Sequence, residues 1–309
     1  MLAILELAAR HGRMCLVLGL LAGLFLPGVA ADLRPRLPQM VAFLLFLTAF
    51  RIGPRNAVAG LRALRRTAAM ALILQLVLPL AAVAALLATG LASAPLGIAA
   101  VLMLAAPSVT GAPNFALLSG HDPAPALRLV VLGTALLPLT ALPVFLTLPE
   151  LGGLTPVLGA AGRLLAVILG ATAAAFALRR WRFPRLTPRA TTALDGATAI
   201  ALAVIVVALM SAIAPAFAEA PRELLFWMIA AFALNFGFQI AAYSLLADRF
   251  PRAEAVAVSI IAGNRNIALF LVALPPQVTD PLLVFIGCYQ IPMYLTPILL
   301  GRLYRSGYQ

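Results

Sequence analysis

The residues best equipped for chemistry in this chain of 309 residues are Gly263-Asn264-Arg265-Asn266, inside the apolar run from Ala255 to Pro275. They put a fixed cation, two amides and a glycine at the centre of a segment otherwise fit to cross a bilayer. A charge at that depth costs about 3 kcal/mol by insertion scales, so it marks a functional position by default. A planar guanidinium there suits recognition of a carboxylate. The same cation has bland uses too: it can cap carbonyls left open by a broken helix, or neutralise a structural acid such as Asp195. The amides of Asn264 and Asn266 can bind a ligand or tie up broken backbone.

An echo lies 152 positions earlier. Gly111-Ala112-Pro113-Asn114-Phe115-Ala116-Leu117 and Gly263-Asn264-Arg265-Asn266-Ile267-Ala268-Leu269 both read G-x-x-N-x-A-L. Further on, Gly133, Pro138 and Pro143 match Gly287, Pro292 and Pro297 at a spacing of 154. Spaced matches of this kind in apolar sequence point to a duplicated unit, repeat one over 1–150 and repeat two over 151–309.

Composition says what must position these residues. The chain is 63% hydrophobic and 10% charged, with a mean hydropathy of +1.06, which is the profile of a polytopic membrane protein. The net charge of +12 comes from loops biased by membrane topology, not from a nucleic-acid surface. Cys15 and Cys288 both sit in apolar runs, which gives neither a disulfide framework nor a metal cluster. The acids lie mostly at loops and span ends, including Asp122, Glu150, Asp195, Glu254 and Asp280. No pair of them is close in sequence inside the membrane, which counts against an enzyme. No nucleotide-binding motif and no cofactor site is evident. His11 and His121 have no partners in the pattern.

Ten apolar runs are long enough to span: 14–31, 38–53, 67–89, 94–119, 124–147, 158–178, 192–216, 222–246, 253–276 and 281–303. With the N-terminus cytoplasmic, seventeen arginines, Arg62 among them, fall on the cytoplasmic side. Only Arg34, Arg36, Arg163 and Arg222 fall outside. This asymmetry puts both termini in the cytoplasm and the chain in the inner membrane. Arg10, Arg13 and Val29-Ala30-Ala31 resemble a cleavable signal, but its loss would leave the first repeat incomplete. Trp227 fits an interface anchor. Asn235 and Gln239 share one helix face, either lining the core or binding neighbouring helices.

Five spans per unit turn the second copy upside down. Transporters with such inverted repeats bind substrate near the midplane, where discontinuous helices meet. The breaks are expected at 111–117, after Pro107-Ser108-Val109-Thr110, and at 263–269. Half-helices starting near Asn114 and Asn266 would aim free N–H groups at one point, an anion site.

These features, with Gln75-Leu76-Val77-Leu78-Pro79 in span three, resemble the bile acid:sodium symporter family, within a superfamily that includes arsenite and auxin carriers. The resemblance implies an all-α transporter of ten helices in two inverted five-helix repeats, with helices four and nine crossing at their breaks. It implies a core of spans 3–5 and 8–10 and a moving panel of spans 1, 2, 6 and 7. It also implies a substrate and ion site around Gln75, Thr110, Asn114, Gly263, Asn264, Arg265 and Asn266. The family's sodium-binding Glu and Gln in span nine correspond here to Ile261 and Arg265, and its span-four Ser-Asn pair to Pro113-Asn114. The fold is therefore expected without sodium coupling. The expected partners are a small organic anion and the lipid bilayer, with no nucleic acid, and the expected unit is a monomer. A sodium-coupled symporter of bile acid-like anions and a transporter-like membrane sensor are the alternatives.

Overall fold

The computed structural model describes residues 2–59, 64–148 and 151–305; Arg62 and Glu150 lie outside them, as do the side chains of Arg13 and Arg55. It is 86% helix, with no strand among the described residues. The first half contains α1 (Leu2–Arg10), α2 (Gly12–Phe25), α3 (Pro27–Leu33), α4 (Leu37–Ala59), α5 (Leu64–Leu72), α6 (Leu78–Ala88), α7 (Pro95–Ala105), α8 (Ala112–Leu118) and α9 (Ala124–Phe145). The second contains α10 (Leu154–Trp181), α11 (Pro188–Leu209), α12 (Ile213–Glu219), α13 (Pro221–Leu246), α14 (Arg252–Gly263), α15 (Phe270–Ala273), α16 (Pro276–Thr279), α17 (Leu283–Leu299) and α18 (Gly301–Arg305).

Seven helical stretches among the described residues are long and apolar enough to cross a membrane: 27–54, 65–88, 124–145, 154–181, 188–219, 221–246 and 276–305. They make this a multi-pass membrane protein. Their outward faces carry large apolar side chains such as Leu139, Leu169, Phe217 and Ile229, all exposed. Lipid solvates such a surface and water does not.

Three of the expected spans are not continuous. The run 14–31 is divided at Leu26, where Pro27 opens a new helix, and α1 stands at 93° to the helix that follows it. The runs 94–119 and 253–276 are each interrupted by non-helical backbone, between α7 and α8 and between α14 and α15.

Packing falls into two groups. In one, α11 lies along α1, α2 and α4, and α10 lies along α4. In the other, α13 packs on α14 and α17, α5 on α9, α6 on α7, and α8 on α14. Contacts of α10 with α9 and α15, and of α11 with α17, join the two. Trp227 is a correction to the sequence reading. It is buried among Phe226 and Phe285, with its indole N–H on Glu223 at 3.2 Å, so packing fixes it and not a membrane interface.

Helices α13 and α14 pack closely, and Gly263 allows it. A Cβ at Gly263 would strike the backbone carbonyl of Asn235, which cannot move without shifting the helix. Gly133 on α9 is also close-packed, but a Cβ there would meet the Gln75 amide nitrogen at 2.8 Å, the end of a flexible side chain. Gly263→Ala is therefore expected to destabilise by about 1–3 kcal/mol, the usual cost of overpacking, and Gly133→Ala by much less. Thermal unfolding of both variants in detergent checks the order; equal melting temperatures would reject this packing.

Candidate functional site

The interrupted helices meet where their backbones cross. Ser108 and Arg265 form an antiparallel bridge. The Val109 N–H donates to Asn264 O at 3.0 Å, and the Asn266 N–H donates to Pro107 O at 2.8 Å. Each break thus supplies the other's missing hydrogen bonds, which a membrane interior requires. This changes two expectations. The N–H groups of Val109 and Asn266 are spent on the crossing. The first break runs from Ala106 to Gly111, whereas 112–118 is the regular helix α8.

Proline position explains the shift. Pro107 forces Ala106 into extended backbone at φ −65°, ψ 148° and ends α7. Pro113 lies in the first turn of α8, where its missing N–H costs nothing, so it starts a helix and does not break one. The two G-x-x-N-x-A-L copies are consequently not in equivalent places. Gly111 caps the start of α8, while Gly263 is the last residue of α14.

Arg265 is 1% exposed and is among the largest fully buried side chains. Its guanidinium donates to three backbone carbonyls: Ala262 at 3.2 Å from Nε, Ala106 at 3.1 Å from Nη1, and Leu74 at 3.2 Å from Nη2. Ala262 and Ala106 lie at the C-terminal ends of α14 and α7, where the helix dipole is negative. The Leu74 carbonyl is free for a local reason. Residues Ile73–Val77 form a π-helical turn in which the Leu78 N–H reaches back to Ile73 O. The next such bond would come from Pro79, which has no N–H.

No ion pair involves Arg265 among the described residues. Asp195, the acid considered as its counter-ion, pairs instead with Arg51. Two helix ends and three carbonyls hold the guanidinium, and two of its five N–H groups have no partner among the described residues.

A second layer of buried polar groups fixes the α14 break. Asn235 Nδ2 donates to Gly263 O at 2.6 Å and to Asn264 Oδ1 at 3.2 Å, and the Tyr289 hydroxyl also donates to Gly263 O. Gln239 Nε2 donates to Asn235 Oδ1 at 2.6 Å and to Thr296 Oγ1 at 3.1 Å, while Gln239 Oε1 accepts from Tyr304 at 3.0 Å. Thr296 donates to Asn264 Oδ1 at 3.1 Å, and Asn264 Nδ2 donates to Ile260 O at 2.8 Å. Side chains thus take carbonyls that a continued helix would have used, so α14 stops here without a proline. Of the two readings open for Asn235 and Gln239, the structure selects interhelical bonding.

A cavity lies beside the crossing. Its core-side wall holds all its polar residues, Thr110, Arg265, Asn266, Gln290 and Tyr294, interspersed with Val109, Ile267, Ala268 and Met293; its other wall, from α4 and α11, is wholly apolar, with Val41, Leu44, Leu202, Ile205, Val206 and Leu209. About 20 Å³ admits solvent, room for one or two waters. No carboxylate of the described residues lines it.

The seven candidate residues are therefore dispersed. Thr110, Arg265 and Asn266 reach the cavity, while Gly263 and Asn264 are bound into the network behind it. Gln75 is buried on the π-turn, with Oε1 lacking a partner among the described residues, and does not line the cavity. Asn114 is exposed on α8, away from the cavity, because α8 starts two residues before it. Gln290 and Tyr294 are the additions. Gln290 had a partial signal, since Tyr289-Gln290 interrupts an apolar run just before the repeated Pro292, but nothing local told which face of the helix would meet the crossing. His121, unassigned from sequence, bonds the Tyr304 carbonyl at 3.0 Å.

No profile of a known protein family and no curated protein sequence matches the chain.

Arg265→Ala orphans three buried carbonyls, each costing about 1–3 kcal/mol. Its melting temperature in detergent is expected to fall sharply. Arg265→Lys is expected to recover part, because a single ammonium cannot span all three acceptors. Wild-type stability of Arg265→Ala would overturn this account of the crossing.

Proposed function

We propose that this protein is a secondary transporter for a small organic anion, a divergent member of the bile acid:sodium symporter family that works without sodium coupling. One observation carries the reading: a buried cation with no acidic partner among the described residues lies in the wall of a cavity whose opposite wall is apolar. An amphipathic anion matches both walls. Its head is drawn by the charge of Arg265, which helix ends offset only in part, and bonded by Asn266, Thr110, Gln290 and Tyr294; its body rests on α4 and α11.

The ten-span architecture draws support from the same structure. Seven long helices, the bent α1–α2 pair and two interrupted spans make ten. The walls of the cavity belong to different packing groups, in keeping with a panel that moves against a core. At one end the groups are tied by Arg34–Asp280 at 2.8 Å and by Arg163, whose Nε and Nη2 donate to Ala273 O at 3.0 and 2.8 Å. Room for only a water or two implies that the groups separate to admit substrate. Both termini then lie in the cytoplasm and the protein in the inner membrane, as the arginine asymmetry requires.

The absence of sodium coupling follows from what Arg265 occupies. Three carbonyls of the kind that coordinate sodium already hold the guanidinium. A sodium ion about 4 Å from it would be repelled by roughly 4 kcal/mol at an effective dielectric near 20. Arg265 is a tethered replacement for the ion, giving the site its charge and the crossing its cohesion.

Uptake of labelled organic acids into proteoliposomes is expected to be the same with sodium, potassium or choline outside, and steep sodium dependence would overturn the uncoupled reading. For a transported anion, Asn266→Ala and Tyr294→Phe are each expected to weaken binding about tenfold, the value of one hydrogen bond near 1.4 kcal/mol, with folding intact. Unchanged affinity in both would remove the cavity from the transport path, and no anion bound or moved from a broad panel would reject the transporter.

A further inference from the structure

A second pocket, remote from the crossing, lies where three helices begin. Arg66 and Thr67 are in the first turn of α5, Arg128 is in the second turn of α9, and Val258 is on α14. Met70 and Leu129 complete its apolar side. The positive dipole ends of α5, α9 and α14 share this end of the bundle, which favours an anion.

The side chains add charge that is not spent. Arg66 is engaged, at 2.8 Å from Glu254 and with its guanidinium 4.6 Å from the centre of the Phe250 ring. Arg128 is different. It is half-buried in the pocket wall and makes no hydrogen bond or ion pair among the described residues. Thr67 is 9% exposed and lines the same pocket. Two arginines against one glutamate leave the pocket with one positive charge. Arg128, Arg66 and Thr67 line this pocket from two helices, a set of donors that suits a phosphate, whose oxygens point in three directions.

We propose that this pocket binds a phosphate ester, with the phosphate on Arg128, Thr67 and the free edge of Arg66, and the ester's aliphatic side along Met70, Leu129 and Val258. The pocket is at the ends of membrane-length helices, so the phosphate can come from an anionic phospholipid headgroup at the bilayer surface or from a soluble phosphate ester. The site is independent of the proposed transport function, since it shares no residue with the cavity at the crossing.

The test is thermal unfolding of the purified full chain in neutral detergent, titrated with phosphatidylglycerol, phosphatidylcholine or glycerol 3-phosphate. Phosphatidylglycerol is expected to raise the melting temperature more than phosphatidylcholine does. A comparable rise with glycerol 3-phosphate identifies a soluble ester as sufficient, and no rise with it identifies the lipid. Arg128→Gln, which breaks no hydrogen bond or ion pair among the described residues, is expected to weaken the effective ligand about tenfold or more, as loss of a charge-assisted pair does. Thr67→Val should weaken it less, and the exposed Arg182→Gln should leave it unchanged. No stabilisation by either phosphate ligand, or stabilisation that Arg128→Gln retains in full, would overturn the site.

Discussion

A buried guanidinium shared among three backbone carbonyls is the constraint on which the centre of this protein depends. Two helices end inside the bundle and a third carries a π-turn, and each leaves a carbonyl without a partner. In water such groups would be solvated at no cost. In a membrane interior each must be met by protein. Arg265 meets all three and links α14 to α7 and to the turn before α6. Two helix C-termini partly offset its charge, which is how a cation persists there without a carboxylate.

The asymmetry of the cavity follows. Every polar group in its wall comes from the crossing or from α17, and its α4 and α11 wall is aliphatic. The polar side is held rigidly, since Asn235, Gln239, Asn264 and Thr296 form a network in which each amide atom has a partner. Aliphatic contact is non-directional and can slide at low cost. Rigidity on one side and a smooth surface on the other would suit the proposed movement of one helix group against the other.

Charge is handled differently at the ends of the bundle. Arg34–Asp280, Arg51–Asp195, Arg66–Glu254 and Arg189–Glu6 are at least partly exposed pairs. Pairs of this kind contribute little to stability, about 0–1 kcal/mol. They hold orientation between elements more than they hold the fold. Arg265 is the opposite case, because its removal strands acceptors that nothing else can reach.

The sequence by itself determined the membrane class, several of the helices that run unbroken, and two of the three spans that do not; it missed the division of 14–31 at Leu26. Apolar run length and the backbone limits of proline are local properties, so residues 64–88, 124–145 and 221–246 were legible as helices and Pro107 as a stop. Arg265 stood out because a charge in an apolar run has few explanations. Tertiary structure decided where its donors go. A guanidinium reaches whatever acceptor folding brings near, and the carbonyls of Leu74 and Ala106 are 191 and 159 positions away. It also decided the register of the crossing. The sequence echo is offset by 152 residues, but Ser108 faces Arg265 at an offset of 157, because α7 ends by a proline and α14 by side chains from α13 and α17. That five-residue difference puts Asn114 outside the site. Gln290 and Tyr294 are inside it for a related reason: which face of α17 meets the crossing is set by helix packing, which no local pattern encodes.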